Sequence, residues 1–571
     1  MLKNGKWLLV LLVLMGAVAV LAACAAPTEK VAAPGEGSPI VLPTRTPLPE
    51  GAKPIPGGVY RGYYTSDPSY WDPHMGTVGA HGVWNRVDGS LLQFHFGPGN
   101  YGNFDIDTKH SLAESWETSA DGLTYTFHLR KGVKWQNIAP LNGRELVAED
   151  VKWTLERHKT TAGGPRRATL DLFVESISCP DKYTVVIKLK QRCADLLLLL
   201  ANPVMEIMAP ELLEHFGTLN KPEAVIGFGP FILDEYVINT RFVYKKNPDY
   251  YRASEGLPYL DGIYLVNIVD ASTSLAAFRA EKIDIRAISR VDLASVMKTN
   301  PHIYCYEQEV SLGGSAVVFR ADKLPFSDVN MRRAVSMAID RQAIIDSQYL
   351  GYGLVQVGPI HSLSPLYLAD PVKDPAAWGE CLKYEQYNPE EAKRLIAEAG
   401  YPGGLTITLS HSAGSENAEL LNDFLTKAGF KVSMDPLETS AFTSIMYSKH
   451  SFPDLGFMTK WGTQNISTIE WLGIYLHTSA SNYSSIDDPW MEKMHLAQMA
   501  EMDPVKRQEI LNEWQRYEIC QKYYVHWPLS YGVTCLQPWL RDYAPHACAD
   551  LTGKIAELMW LTEDAPGRKV K

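Results

Sequence analysis

Polar and apolar residues alternate through LTYTFHLRKGVKW at 123–135, the period-2 signature of a strand with one buried face. The stretch DVKWTLERHK that starts at Asp150 changes period and predicts an amphipathic helix. A second helix is fully punctuated at 388–400, NPEEAKRLIAEAG. Asn388 is an N-cap, Pro389 takes the first helical position, Glu391 can complete a capping box, and Gly400 stops the helix. Ala392, Leu395, Ile396 and Ala399 fall on one face of it. Asp340 separates two more helical patterns, one carried by Ala334, Val335, Ala338 and Ile339 and the next by Ile344 and Ile345. Strand-like and helix-like segments mix along the whole length, which predicts an α/β chain, and no internal repeat is visible.

The N-terminus departs from this pattern. Lys3 and Lys6 precede an apolar run over residues 7–23 that ends in small residues just before Cys24. A basic start, a short apolar run and a small-residue approach to a cysteine read as a lipoprotein signal peptide over 1–23, with Cys24 acylated after cleavage. A plain transmembrane anchor is the competing reading, but the run is short for a hydrocarbon core of about 30 Å and rich in Ala and Gly. Residues 24–56 then read as the acylated Cys and a semi-rigid tether, since 25–56 carry eight prolines and almost no large apolar residue. The 515 residues from Gly57 on exceed what one core holds, so two or three domains are expected.

Composition narrows the partners. The formal charge is −11 and becomes two units more negative when Lys3 and Lys6 leave with the signal. No basic stripe is present to neutralise phosphates, which argues against nucleic acid. Seven cysteines follow Cys24, and an odd number outside the cytoplasm leaves at least one unpaired. Cys179 and Cys193 flank a predicted hairpin with its turn at Pro180, Asp181 and Lys182. Counting along the return strand puts Cys193 roughly 30 Å beyond the position opposite Cys179, at about 3.3 Å per residue. A disulfide joins Cα atoms only about 4.4–6.8 Å apart, so these two do not pair. No CxxC pair and no Cys/His spacing suggests a metal, and no cofactor is expected.

A series of motifs in order then carries a resemblance. They are YWDPH (70–74), SLAESWETSADGLTYTFHLRKGVKW (111–135), LVAEDVKWTLER (146–157), GFGPFILDEY (227–236), KNPDYY (246–251), DASTSLAAFRAEKIDI (270–285), PFSDVNMRRAVSMAIDRQAII (325–345) and YNPEEAKRLIAEAGYPGG (387–404). A weaker likeness continues through Trp461 and YYVHWPLSYG (523–532). The chain resembles the family 5 extracellular solute-binding proteins, the dipeptide-, oligopeptide- and nickel-binding subunits of bacterial ABC importers. The resemblance implies an α/β type II periplasmic-binding-protein fold: two lobes with a hinge and an extra subdomain inserted in lobe one. Carried over, lobe one takes 57–100, 225–311 and a C-terminal return at 533–571, the insertion takes 101–224, and lobe two takes 312–532. Most of the motifs are expected to be structural. The resemblance implies a monomer outside the cytoplasm, lipid-anchored on the periplasmic or cell-surface side, that delivers a small solute to permease subunits.

An enzyme is the alternative class. The chain lacks GxSxG, HExxH and GxxxxGKS/T, and GFGPF at 227–231 has Ile232 where a dinucleotide fingerprint needs its third glycine. Those glycines are expected to serve a tight crossing strand. Within the family, ligand contacts come from the segment after the DP motif, here Thr77, Val78 and Gly79, and from a Trp loop, here Trp461, Gly462 and Gln464. Peptide binders carry an Asp three residues after this Trp to hold the α-ammonium, whereas position 464 is Gln, and Met458 and Lys460 stand where many have Arg. A peptide ligand held by another anchor is the first reading. The alternatives are an oligosaccharide, bonded by Gln464 and Asn465 and stacked on Trp461 or Trp471, and a nickel chelate.

Overall fold

The computed structural model describes Leu42 and residues 53–568, apart from 76–77, 101, 163, 165, 309–313, 462–466, 478, 480 and 548–551. β1 (Val59–Tyr64) enters a four-stranded sheet. The next four strands, β2 (Ala113–Thr118), β3 (Thr124–Leu129), β4 (Val174–Asp181) and β5 (Thr184–Leu189), form a separate antiparallel sheet in the order β2-β3-β5-β4. β6 (Phe231–Val237), β7 (Arg241–Lys246) and β8 (Gly262–Asn267) then complete the first sheet, with β8 parallel to β1. The alternation at 123–135 works as expected: Tyr125, Phe127 and Leu129 point into the core from β3, and Val185, Ile187 and Leu189 do so from β5. The hairpin of β4 and β5 turns between Asp181 and Thr184, and Cys179 and Cys193 are both unpaired.

The chain leaves for the five-stranded sheet and returns from it beside one small sheet. β9 (Ile285–Ile288) and β10 (Tyr304–Gln308) belong to a three-stranded sheet whose middle strand, β18 (Gly532–Leu536), comes from near the C-terminus. From β10 the chain passes to β11 (Gly314–Phe319), in a five-stranded sheet of order β14-β13-β15-β11-β16. Its other strands are β13 (Leu405–Ser412), β14 (Phe430–Leu437), β15 (Leu455–Trp461) and β16 (Tyr524–His526). Two short pairs complete the set: β12 (Gly353–Leu354) with β17 (Leu529–Ser530), and β19 (Leu540–Arg541) with β20 (Trp560–Leu561). Thus the exit strand β10 and the return strand β18 lie side by side, and Cys305–Cys535 bridges them. A second disulfide joins Cys381 to Cys520.

Helices cover the five-stranded sheet and bury its apolar face. Val317, Phe319, Ile407, Leu409 and Phe457 pack with Ala334, Val335, Leu395, Leu421 and Trp527. Each covering helix is capped as its sequence dictates. The Asp328 side chain accepts from the Asn330 amide ahead of helix Val329–Ala338, and Asp340 accepts from the Ala343 amide ahead of Arg341–Gln348. Asn388 accepts from the Glu391 amide at 3.0 Å. The capping box there is only half formed. The Asn388 amide donates to the Met337 carbonyl of the neighbouring helix, so the Glu391 carboxylate turns to Arg394 instead. Gly400, at φ +99°, ends the turn as expected.

The helix expected from Asp150 begins two residues earlier, at Ala148. Asp150 sits inside its first turn, where its carboxylate accepts from the Val147 amide and from Arg144, and helix starts favour this negative charge. GFGPF makes the close crossing that its glycines predict. A Cβ on Gly227 would lie 2.3 Å from the Val87 carbonyl oxygen, and one on Gly229 2.7 Å from the Val87 carbonyl carbon. The Gly229 amide uses that approach to donate to Val87 at 2.7 Å.

Candidate functional site

Val78 and Gly79 open helix Val78–Val87, directly after the DP motif. Thr77 lies outside the described residues. The motif itself braces this helix start. Asp72 accepts from the His74 amide at 3.0 Å and holds the Arg157 guanidinium of helix Ala148–Thr160. His74 donates through Nε2 to the Glu206 carbonyl at 3.2 Å, and its ring lies 3.8 Å from that of His158. His81, one turn into the helix, meets the Glu206 carboxylate at 2.9 Å. Burial, helped by Arg157, pushes the His74 imidazole down to about 3, and burial pushes His158 well below its ordinary value. Both rings are therefore neutral at pH 7, and YWDPH serves to fix the helix that the Thr77–Gly79 stretch leads into.

In the five-stranded sheet, Trp461 is the last residue of β15 and pairs with Gly314 at the start of β11. Gly462, Gln464 and Asn465 lie outside the described residues, as does Cys24. Met458 is completely buried in the core, so it offers nothing to a ligand. Around Gly314 lies a small, partly open pocket of about 10 Å³, room for roughly one water molecule, with Gln356, His361, Trp471, His526 and Trp527 among its walls. None of the cavity's lining side chains carries Asp, Glu, Lys or Arg.

The chemistry of this cavity follows from its partners. The Leu363 amide donates to His361 Nδ1 at 3.1 Å, so the neutral ring carries its proton on Nε2. Among the described residues that Nε2–H has no partner, and burial holds the His361 imidazole at about 4, keeping it a neutral donor. Gln356 spends its amide on the backbone, donating to the Ile360 carbonyl at 2.8 Å and accepting from the Ser362 amide at 3.3 Å. Trp471, one of the aromatics expected to stack on a ligand, is 2 % exposed and lies 6.3 Å from the His361 ring. A pocket with no charged side chain in its lining and the neutral His361 donor in its wall suits an uncharged group bearing an acceptor oxygen. Sequence reasoning missed His361 and Gln356. They lie on the proline-bearing stretch VQVGPIHSLSP at 355–365, which has no period to mark a buried face.

The described residues contain no group of three or more His, Cys, Asp or Glu able to hold a metal ion. Nor, among them, is any helix long and apolar enough to cross a membrane. The model of the bacterial extracellular solute-binding proteins, family 5 (middle), matches residues 107–488. The chain belongs to this family. It is a binding protein and not an enzyme. Among curated relatives, heme-binding protein A of Haemophilus influenzae is 30 % identical over 377 residues, which make up 62 % of this chain and 64 % of that protein. Di/tripeptide-binding protein 1 of Pseudomonas aeruginosa is 28 % identical over 484 residues, 78 % of this chain and 84 % of that protein. The chain thus spans just under two thirds of the first relative and more of the second. The fold matches that of the ABC transporter-associated periplasmic binding protein DppA from Helicobacter pylori in complex with peptide STSA. There the TM-score is 0.75 at 22 % identity, over 89 % of this chain and 98 % of that one. The fold is the type II periplasmic-binding-protein fold, as the motifs implied.

Proposed function

We propose that this family 5 protein is the extracytoplasmic, lipid-anchored receptor of an ABC importer, and that it captures short peptides between two lobes. The observation that carries the peptide reading is the likeness to a di/tripeptide-binding protein over 84 % of that protein's length, because an alignment this long takes in both lobes. The uncharged pocket around Gly314 supports it, since peptide carbonyls and amide side chains are acceptor groups for the His361 proton. The sheet memberships support lobe one at 57–100, 225–311 and 533–571, the insertion at 101–224 and lobe two at 312–532. Cys24 is the acylation site and residues 25–56 the tether, and the lobes close about the β10 and β18 crossover to present the solute to the permease.

A thermal-shift screen on the purified chain tests the ligand class, with di- to pentapeptides, oligosaccharides, nickel chelates and haemin as arms. A ligand present at 100 times its Kd adds about 2.7 kcal/mol of apparent stability, well within reach of the assay. Stabilisation by peptides is the expected result. Stabilisation by oligosaccharides alone would replace the peptide reading with the sugar one, and by haemin alone with that suggested by heme-binding protein A.

A further inference from the structure

Asp195 sits at the N-cap position of helix Leu196–Leu200, yet its side chain makes no capping bond to that helix. It follows β5 of the antiparallel sheet, and it reaches across to the chain between β15 and β16 of the five-stranded sheet. There its Oδ2 accepts from the Thr468 amide at 2.6 Å, the Thr468 hydroxyl at 2.8 Å and the Ser467 hydroxyl at 3.0 Å. Oδ1 accepts from Arg507 Nη2 at 2.5 Å. Arg507 is fixed in turn by Gln498, to which its Nε donates at 3.0 Å. Beside this network the Ala194 amide donates to the Met499 carbonyl at 2.8 Å. The Asp195 side chain is 0 % and that of Arg507 11 % exposed. A cap that the sequence of Leu196–Leu200 offers to its own helix is thus used on helix Thr468–Gly473 of the other sheet's lobe.

We propose that Asp195 is a positioning residue for the ligand cleft and forms, with Arg507, an interlobe latch. The inference rests on the reading that the lobes close on a solute. Helix Thr468–Gly473 begins a few residues after Trp461, at the end of the stretch that includes Gly462 and Gln464. Its start is held across the lobe boundary by Asp195, and Trp471 in its first turn walls the pocket around Gly314, so that wall is fixed only while the lobes are together. Burying the pair costs desolvation of two charges, which charge-assisted hydrogen bonds largely offset. A contact balanced in this way holds neither lobe permanently. A ligand that adds contacts to the closed state then shifts the population toward it.

Hydrogen exchange of the Thr468 amide, which donates to Asp195, reads the latch directly. In the ligand-free full chain, Asp195→Asn is expected to speed that exchange at least tenfold while strands β13 and β14 exchange as before. Thr468→Val removes one hydroxyl without stranding a charge, and it is expected to do the same more weakly even if the first variant folds poorly. A defined di- and tripeptide library is expected to slow Thr468 exchange in the native protein, and bound peptides are expected to leave Asp195→Asn about tenfold faster. Unchanged exchange in both variants would overturn the latch. So would library binding, seen as heat, that leaves Thr468 exchange unaltered. If no peptide binds, the peptide reading fails, and the ligand-free comparison still decides the latch.

Discussion

Replacing Cys305 and Cys535 together by Ala tests how the five-stranded sheet is held. The two cysteines face each other across β10 and β18, with Cα atoms 4.0 Å apart, and their sequence separation is 230. Every strand of the five-stranded sheet lies inside that covalent loop. Closing a loop of this length removes about 18 cal/mol/K of chain entropy from the unfolded state, or roughly 5 kcal/mol at 25 °C. The Cys381–Cys520 bridge, with a separation of 139, is nested inside and acts on a chain already closed. Urea unfolding without reductant is therefore expected to show the double variant less stable by about 3–5 kcal/mol. Ala at Cys179 and Cys193, which are unpaired, is the control and lacks this entropic loss. A double variant within 1 kcal/mol of the native protein would refute the reasoning, because loop entropy would then not be what anchors this sheet.

Cys24→Ser is expected to release the protein from membranes with ligand binding intact, as cell fractionation would show; unchanged membrane association would defeat the lipoprotein reading. Stability is expected to fall with acid. Burial holds His74 and His526 at about 3 and His361 and His495 at about 4, so these groups favour folding above about pH 6.5, and the contribution drains away toward pH 3. Glu518, raised to about 7 by burial, works in the opposite direction and offsets part of the loss. The net fall is on the order of 3–4 kcal/mol between pH 6 and pH 5, and a denaturant series showing flat or rising stability there would contradict it. Gln464→Asp restores an acidic anchor for a peptide α-ammonium. Calorimetry is expected to show peptide affinity rising about tenfold, and no change for any ligand would mean position 464 does not face the cleft.

What the sequence made legible was what local physics decides. The alternation at 123–135 and the caps at Asn388 and Asp340 carry their own periods and partners, and these elements formed where expected. Glu391 shows where local reasoning ends. Its capping role was lost to a tertiary partner, the Met337 carbonyl, which no spacing along the chain reveals. Asp150 likewise moved inside its helix because Arg144 and Trp135 both reach its carboxylate. The cavity was legible only in part. Trp461 and Trp471 stood out as aromatics, but His361 becomes a buried donor solely because the 355–365 stretch folds under Trp471, a contact spanning more than a hundred residues. The Asp195 network was illegible for the same reason, since Asp195 and Arg507 are 312 residues apart.

Small-angle scattering of the full chain, titrated with the di- and tripeptide library and in parallel with an oligosaccharide set, puts the two-lobed peptide receptor most directly at risk. Saturating peptide is expected to lower the radius of gyration, because only the state with more contacts to the ligand gains from binding, while the sugars leave it unchanged. Peptides that bind without compaction would contradict closure, and compaction with sugars alone would contradict the peptide assignment.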